Sequence, residues 1–244
     1  MAMTPEAFAQ RLARDGGENI RSVILYGSAV AGDHVRGQSD YNILIIAQRL
    51  APDELRALSS AIQAWVRAGN PPPLLMTADQ FVASADAFAL EWADIRDAHQ
   101  VLVGEDLIAG VQVSRANLRT ELEYQLKGKL LQLRAAYALA GRDAGRIRGV
   151  MTRSVSTFLV LFRGALRLYQ STVPMQKLDA LAALSKHVPI NVTVFETIMQ
   201  LKAGRKLPGV VPERLFGDYL AAIDGLTAAI DSRLRHAGPT QEME

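Results

Sequence analysis

Val23-Ile-Leu-Tyr-Gly-Ser28 and Ser39-Asp-Tyr-Asn-Ile-Leu-Ile45 are the two stretches that decide the fold of this chain of 244 residues. The first is an apolar, β-rich run that stops at Gly27, and the second is an apolar run that opens with an acid, Asp40. Eleven residues lie between Ser28 and Asp40. The pattern therefore predicts two buried strands joined by a polar, glycine-rich connection.

The turn and the second strand each suggest a binding role. Gly27 permits a tight turn and a close approach of the backbone. Ser28 and the N–H groups after it would then face outward at the start of a helix, where an anion binds readily. Asp40 and Asn42 lie two residues apart on one strand, so their side chains project from the same face. A phosphate held by the turn and a cation held by the strand would meet between them.

The surrounding segments predict an α/β domain over residues 1–112. Amphipathic helices are expected at 4–15, 52–68 and 78–85. Further strands are expected at 74–77, 90–95 and 99–103. This alternation indicates a mixed sheet with flanking helices.

After about residue 113 the pattern becomes helical throughout. Leucines recur every three or four residues from Leu118 to Leu133, which predicts one long amphipathic helix. Further helices are expected at about 147–170, 175–186, 192–203 and 212–236. We expect an all-α bundle over residues 113–236, with the domain boundary near Val111 to Ser114 and a disordered tail at 237–244.

Composition excludes several classes of protein. Apolar residues make up 49% of the chain, charged residues 21%, and the net charge is +2, so no concentrated basic field marks a nucleic-acid-binding protein. The chain has no cysteine, which excludes disulfides, thiolate metal sites and cysteine nucleophiles. No apolar run is long enough to cross a membrane, and the N-terminus lacks the pattern of a signal peptide. We expect a cytoplasmic protein, and a homodimer is left open.

The Gly-Ser turn, its spacing and the acid-led strand together resemble the nucleotidyltransferase superfamily, typified by polymerase β and the aminoglycoside nucleotidyltransferases. The resemblance covers about the first hundred residues, and the helical second half is similar to the accessory bundle of the smaller antibiotic-modifying members. It implies that Gly27 and Ser28 contact the phosphates of a nucleoside triphosphate. It also implies that Asp40 binds a divalent cation, usually Mg²⁺, as one or two ions. The implied reaction transfers a nucleoside monophosphate to a hydroxyl on a small molecule or a protein.

Asn42 departs from the family pattern, which has a second carboxylate at this position. An amide supplies one neutral oxygen, so Asn42 would be a weaker metal ligand than an acid. One cation could still bind through Asp40, the phosphates and water. Two interpretations follow: an active nucleotidyltransferase, or a catalytically degenerate module of the same fold that binds a nucleotide or a protein partner.

The family also uses a third carboxylate, as a metal ligand or as a general base for the acceptor hydroxyl. Glu91 and Asp94 are the candidates, of which Asp94, flanked by Ala93 and Ile95, is slightly favoured, and Asp97 is a weaker third. On the strand expected at 90–95, Glu91 and Asp94 would point to opposite faces, so only one could belong to the site. Ordinary surface acids are the alternative interpretation. Arg36, in the loop before Asp40, either grips the triphosphate or is solvated.

Overall fold

The computed structural model describes residues 3–31 and 41–236. By its internal contacts the chain divides into two compact units, Met1–Asn117 and Leu118–Glu244. The first unit is a mixed α/β structure and the second is helical. None of the helices in the described ranges combines the length and the apolar content needed to cross a lipid bilayer.

A four-stranded sheet forms the centre of the first unit. Its strands are β1 (Ile20–Tyr26), β2 (Asn42–Ala47), β3 (Leu74–Thr77) and β4 (His99–Gly104), in the order β3-β2-β1-β4. β1 runs antiparallel to both β2 and β4, whereas β2 and β3 are parallel. The two central strands, β1 and β2, contain the apolar runs 23–26 and 43–45 that were predicted to form strands. Apolar residues run continuously along both because each of their faces is covered.

Helices cover both faces of this sheet. Val23 and Leu25 of β1 pack with α1 (Pro5–Gly16) and α3 (Pro52–Arg67), where Trp65 stacks on Phe8 with ring centroids 4.5 Å apart. Ile24 of β1 packs on the opposite face with α4 (Ala78–Ala83) and α5 (Ala89–Asp97). A four-residue helix, α2 (Ser28–Ala31), follows β1 directly.

The strand expected at 90–95 is wrong: these residues belong to α5. The apolar residues of Leu90-Glu-Trp-Ala-Asp-Ile95 form a run too short for its periodicity to distinguish a strand from a helix. The buried residues, however, include Ala89, Ala93 and the pair Trp92 and Ile95, which is the spacing of a helix that packs on one side. Trp92 meets the ring of Phe81 edge-on, with centroids 4.9 Å apart, and this contact holds α5 against α4.

The second unit consists of long helices, as the sequence predicted. Their bounds are α6 (Arg115–Ala140), α7 (Ala144–Leu166), α8 (Lys177–Leu184), α9 (Val192–Lys202) and α10 (Pro212–His236). Asp143 caps α7 by accepting hydrogen bonds from the backbone N–H groups of Gly145 and Arg146. Phe158, Phe195 and Tyr219 meet edge-on in the core, which ties α7, α9 and α10 together.

Gly104 offers a direct test of the sheet. Its φ of +85° suits glycine, and a Cβ there would lie 2.0 Å from the carbonyl oxygen of Arg21 on the neighbouring strand. We therefore expect Gly104→Ala to lower the free energy of unfolding of the first unit by about 2 kcal/mol or more. Both tryptophans of the chain, Trp65 and Trp92, lie in this unit, so their fluorescence during denaturation in urea reports its unfolding.

The matched control is Gly110→Ala, because a Cβ at Gly110 meets no atom within 4 Å and needs no positive φ. This variant should leave the stability unchanged or raise it slightly. Equal stability of the two variants would contradict the register between β1 and β4.

Candidate functional site

The candidate site lies at the edge of the sheet where β1 ends. Tyr26, the last residue of β1, pairs with Asn42 at the start of β2 and with His99 at the start of β4. The next residue, Gly27, donates its backbone N–H to the carbonyl oxygen of Ala98 at 3.1 Å. The chain therefore leaves the sheet between two neighbouring strands, at a position fixed by hydrogen bonds on both sides.

Gly27 is required by the geometry of this exit. Its φ is +81°, in the region that favours glycine, and a Cβ there would come within 3.2 Å of Nδ2 of Asn42. The carbonyl oxygen of Gly27 accepts a hydrogen bond from Val30 at 3.0 Å, which closes the turn into α2. Helix α2 begins at Ser28, as expected, but the side chain of Ser28 lies outside the described part of the structure.

Asn42 is the described residue of the acid-led strand that faces this turn. Its side chain is half-buried, and it projects from the same face of the sheet as Tyr26 because the two are register partners. That face is the one covered by α4 and α5, since Tyr26 packs beside the apolar cluster of those helices. The amide group therefore lies between the Gly27 turn and the layer that carries the candidate acids.

Glu91, on the first turn of α5, is the candidate acid that the structure brings to this edge. Burial raises the pKa of Tyr26 to about 12, and the negative charge of Glu91 adds to the rise. Glu91 itself is exposed, so its carboxylate is open to a ligand. Tyr26 was not singled out from the sequence; its place directly before Gly27 was the only available signal.

The expectation that Glu91 and Asp94 point to opposite faces is wrong, because it assumed a strand. On a helix, residues three apart are neighbours on one side. Asp94 lies one turn after Glu91 on α5 and is half-buried. At the end of the helix, Oδ1 of Asp97 lies 3.8 Å from Nε of Arg96. Asp94 and Asp97 each take part in a further interaction. The charge of Glu91, rather than that of Asp94 or Asp97, adds to the rise in the pKa of Tyr26.

Two of the predicted site residues, Asp40 and Arg36, lie outside the described residues. Over residues 3–31 and 41–236, no group of three or more acidic or histidine side chains is arranged to hold a metal ion. The donors that the edge does offer, the amide of Asn42 and the carboxylate of Glu91, are hard oxygen ligands. This donor type fits Mg²⁺ rather than a soft metal.

His99 stabilises the sheet edge. Its Nδ1 lies 3.1 Å from the carbonyl oxygen of Ile95, and its Nε2 lies 3.3 Å from Oδ1 of Asp106. Slight desolvation opposes ionisation of Asp106, but hydrogen bonds from His99 and from the N–H groups of Ala109 and Ile108 prevail and lower the pKa of Asp106. The histidine thus connects the end of α5 to the loop after β4.

Replacing Glu91 with glutamine tests whether this acid faces Tyr26. The variant should lower the pKa of Tyr26, because a negative charge is removed, but burial should keep the pKa above its ordinary value of about 10. A tyrosine titration followed by carbon NMR measures the shift, with Tyr26→Phe to assign the resonance. Glu105→Gln is the control, since Glu105 pairs with Arg21 at 2.8 Å. An unchanged pKa of Tyr26 in Glu91→Gln would remove Glu91 from the site.

Comparison with known proteins supports the fold and no more. No protein-family model matches the chain, and neither does any curated protein. Among solved structures, the chain is similar to a spectinomycin adenyltransferase from Enterococcus faecialis, determined with ATP and spectinomycin. The TM-score is 0.56 at 11% sequence identity, and the match covers 91% of this chain and 96% of the other. The chain therefore shares the fold of that structure, a mixed sheet with flanking helices followed by a helical region, which is the architecture predicted from the sequence.

Proposed function

We propose that this chain binds a nucleoside triphosphate together with Mg²⁺ at the edge of the sheet, and that it transfers the nucleoside monophosphate to a hydroxyl acceptor. One observation supports the proposal: the Gly27 turn lies beside the amide of Asn42 at the end of β1, and the charge of Glu91 acts on Tyr26, the last residue of that strand. The solved neighbour of the same fold contains ATP, which supports a nucleotide as the ligand. A cytoplasmic location, with its supply of ATP and Mg²⁺, forms part of the proposal.

Each residue has a distinct role in the proposed reaction. Gly27 brings backbone N–H groups close to the phosphates, and Ser28 adds a hydroxyl. Asp40 holds the cation beside them, with Asn42 as a neutral oxygen ligand, and Arg36 grips the triphosphate. When bound, Mg²⁺ would neutralise the charge that develops on the phosphate oxygens.

In the transfer step, the acceptor oxygen attacks the α-phosphorus. The bond from this phosphorus to the bridging oxygen breaks, and pyrophosphate leaves with the bonding electron pair. Glu91 takes the proton from the acceptor hydroxyl, because it is an exposed carboxylate whose charge acts on Tyr26 at the end of β1. Positioning of the two reactants then supplies most of the rate enhancement.

Asn42 specifically favours a second candidate function, a degenerate module that binds the nucleotide or a protein partner without turnover. Loss of one carboxylate lowers the affinity for a second cation, and two-metal catalysis depends on that cation. The two candidates share the binding site and differ only in chemistry. The spectinomycin in the similar solved structure does not decide between an active transferase and a degenerate module. At 11% sequence identity, that similarity indicates the fold and not the reaction.

The test measures ATP binding and turnover in the variants Asp40→Ala, Glu91→Gln, Asn42→Asp and Asp53→Ala. Asp40→Ala should weaken Mg²⁺-dependent ATP binding by about tenfold or more, because a charged ligand is lost. Glu91→Gln should retain ATP binding but lower kcat by roughly a hundredfold or more. Asp53→Ala is the control, because Asp53 is an exposed acid on α3 whose Oδ1 lies 2.7 Å from Nη1 of Arg56. Calorimetry measures binding, and release of pyrophosphate with a panel of hydroxyl compounds and proteins measures turnover.

Native turnover supports the transferase, whereas ATP binding without turnover, or turnover only in Asn42→Asp, supports the degenerate module. ATP binding that Asp40→Ala and Asp53→Ala reduce equally would contradict both candidates.

A further inference from the structure

The second unit differs sharply from the first in charge. Residues 118–244 contain eighteen lysines and arginines against eleven acids, a formal charge of +7, and residues 1–117 contain nine against fourteen, a charge of −5. The net charge of +2 for the whole chain hides this asymmetry. An excess of positive charge in one unit points to an anionic ligand for that unit.

A groove between α6 and α7 concentrates part of this charge. It has a volume of about 250 Å³. Lys129 and Gln132 line it from α6, and Arg153 and Thr157 line it from α7. Leu133 and Phe158 form its apolar floor. None of the described residues that line the groove is an acid.

The opposite flank of α6 shows how cations are balanced elsewhere on the same helix. Lys127 contacts Glu123 and lies 3.2 Å from Oδ1 of Asp231 on α10. Arg134 lies 2.7 Å from Oδ1 of Asp224, also on α10. The flank that faces α10 therefore has an acid for each of these two cations, which lowers their mutual repulsion.

The groove flank lacks such acids. Lys129 is half-buried as a residue, and its ammonium group donates to the amide oxygen of Gln132 at 3.3 Å in an exposed contact. Across residues 3–31 and 41–236, neither Lys129 nor Arg153 forms an ion pair with a carboxylate. Two cations that share a groove without an acid repel each other, and a bound anion would offset that repulsion.

The absence of a side chain at Gly149 leaves room for the guanidinium of Arg153. A Cβ on Gly149 would come within 2.8 Å of Nη1 of Arg153, so the arginine lies over the bare backbone of the preceding turn. Glycine inside a helix is otherwise unfavourable compared with alanine. One turn along α7, Ser154 contacts the hydroxyl of Tyr219 at 3.0 Å, which anchors this wall of the groove to α10.

We infer that this groove binds a small organic phosphate monoester. An ammonium and a guanidinium match the two negative charges of a phosphate dianion, and a guanidinium pairs with phosphate oxygens through two parallel hydrogen bonds. The hydroxyl of Thr157 adds a further donor at the rim. The floor of Leu133 and Phe158 receives the apolar part of the ester. The inference concerns the helical unit alone and does not depend on the proposed nucleotide site.

The test uses phenyl phosphate as the probe and full-length protein labelled for NMR. We expect saturable shifts at the amides of α6 and α7 around Lys129 and Arg153. Lys129→Gln and Arg153→Gln should each raise the Kd about tenfold or more, because each removes a charged hydrogen-bond donor. Arg148→Gln is the matched control: Arg148 is an exposed arginine on the same helix, but it lines a different cavity. Its Kd should remain within about twofold of the native value.

Further probes and variants test each part of the inference. Inorganic phosphate and benzoate should both bind more weakly than phenyl phosphate, the first for lack of an apolar part and the second for lack of the second charge. Gly149→Ala should raise the Kd without removing a charge, because it displaces the guanidinium. Asp40→Ala should leave the Kd unchanged, which separates this site from the proposed nucleotide site.

Three results would overturn the inference. The first is an absence of saturable binding by the native chain. The second is an equal loss of affinity in Arg148→Gln and Arg153→Gln, which would indicate general electrostatic attraction to the basic unit. The third is equal affinity for phenyl phosphate and benzoate.

Discussion

The antiparallel pairing of β1 with β2 is the constraint on which the rest of the site depends. The pairing places Asn42 opposite Tyr26, and therefore beside the turn at Gly27. Since Gly27 has a positive φ and leaves room for the amide of Asn42, the backbone can leave the sheet there without a clash. A shift of this register by one residue would move Asn42 to the opposite face, away from α5. The geometry of one pair of strands thus decides whether a phosphate turn and a ligand-bearing strand can act on one ligand.

Much of this arrangement could be predicted from the sequence. The apolar runs around Val23 and Ile45 and the glycine at 27 are short-range signals, and both central strands formed where they predicted. The long helices of the second unit follow from leucine spacing, which persists over many turns and is therefore reliable. The similarity to a solved structure confirms the fold that the Gly-Ser turn and its spacing suggested.

The error at residues 90–95 has a physical cause. A short apolar run carries both periods at once, and only its packing decides between them. Trp92 and Ile95 pack together on the sheet as neighbours on a helix, a contact that no local pattern reveals. The correction changes the chemistry, because a helix places Glu91 and Asp94 on one side. The charge of Glu91 on Tyr26 could not be predicted either, since the two residues are far apart in the chain and meet only when α5 packs on β1.

The central claim is that the turn at Gly27 holds phosphate beside a cation. Substituting Mn²⁺ for Mg²⁺ in the presence of ATP tests it most directly, because the paramagnetic ion broadens the NMR signals of nearby nuclei. The amides of Gly27, Ser28 and Asn42 should broaden first, and only when ATP is present. Broadening confined to other parts of the chain, or none at these three residues, would contradict it.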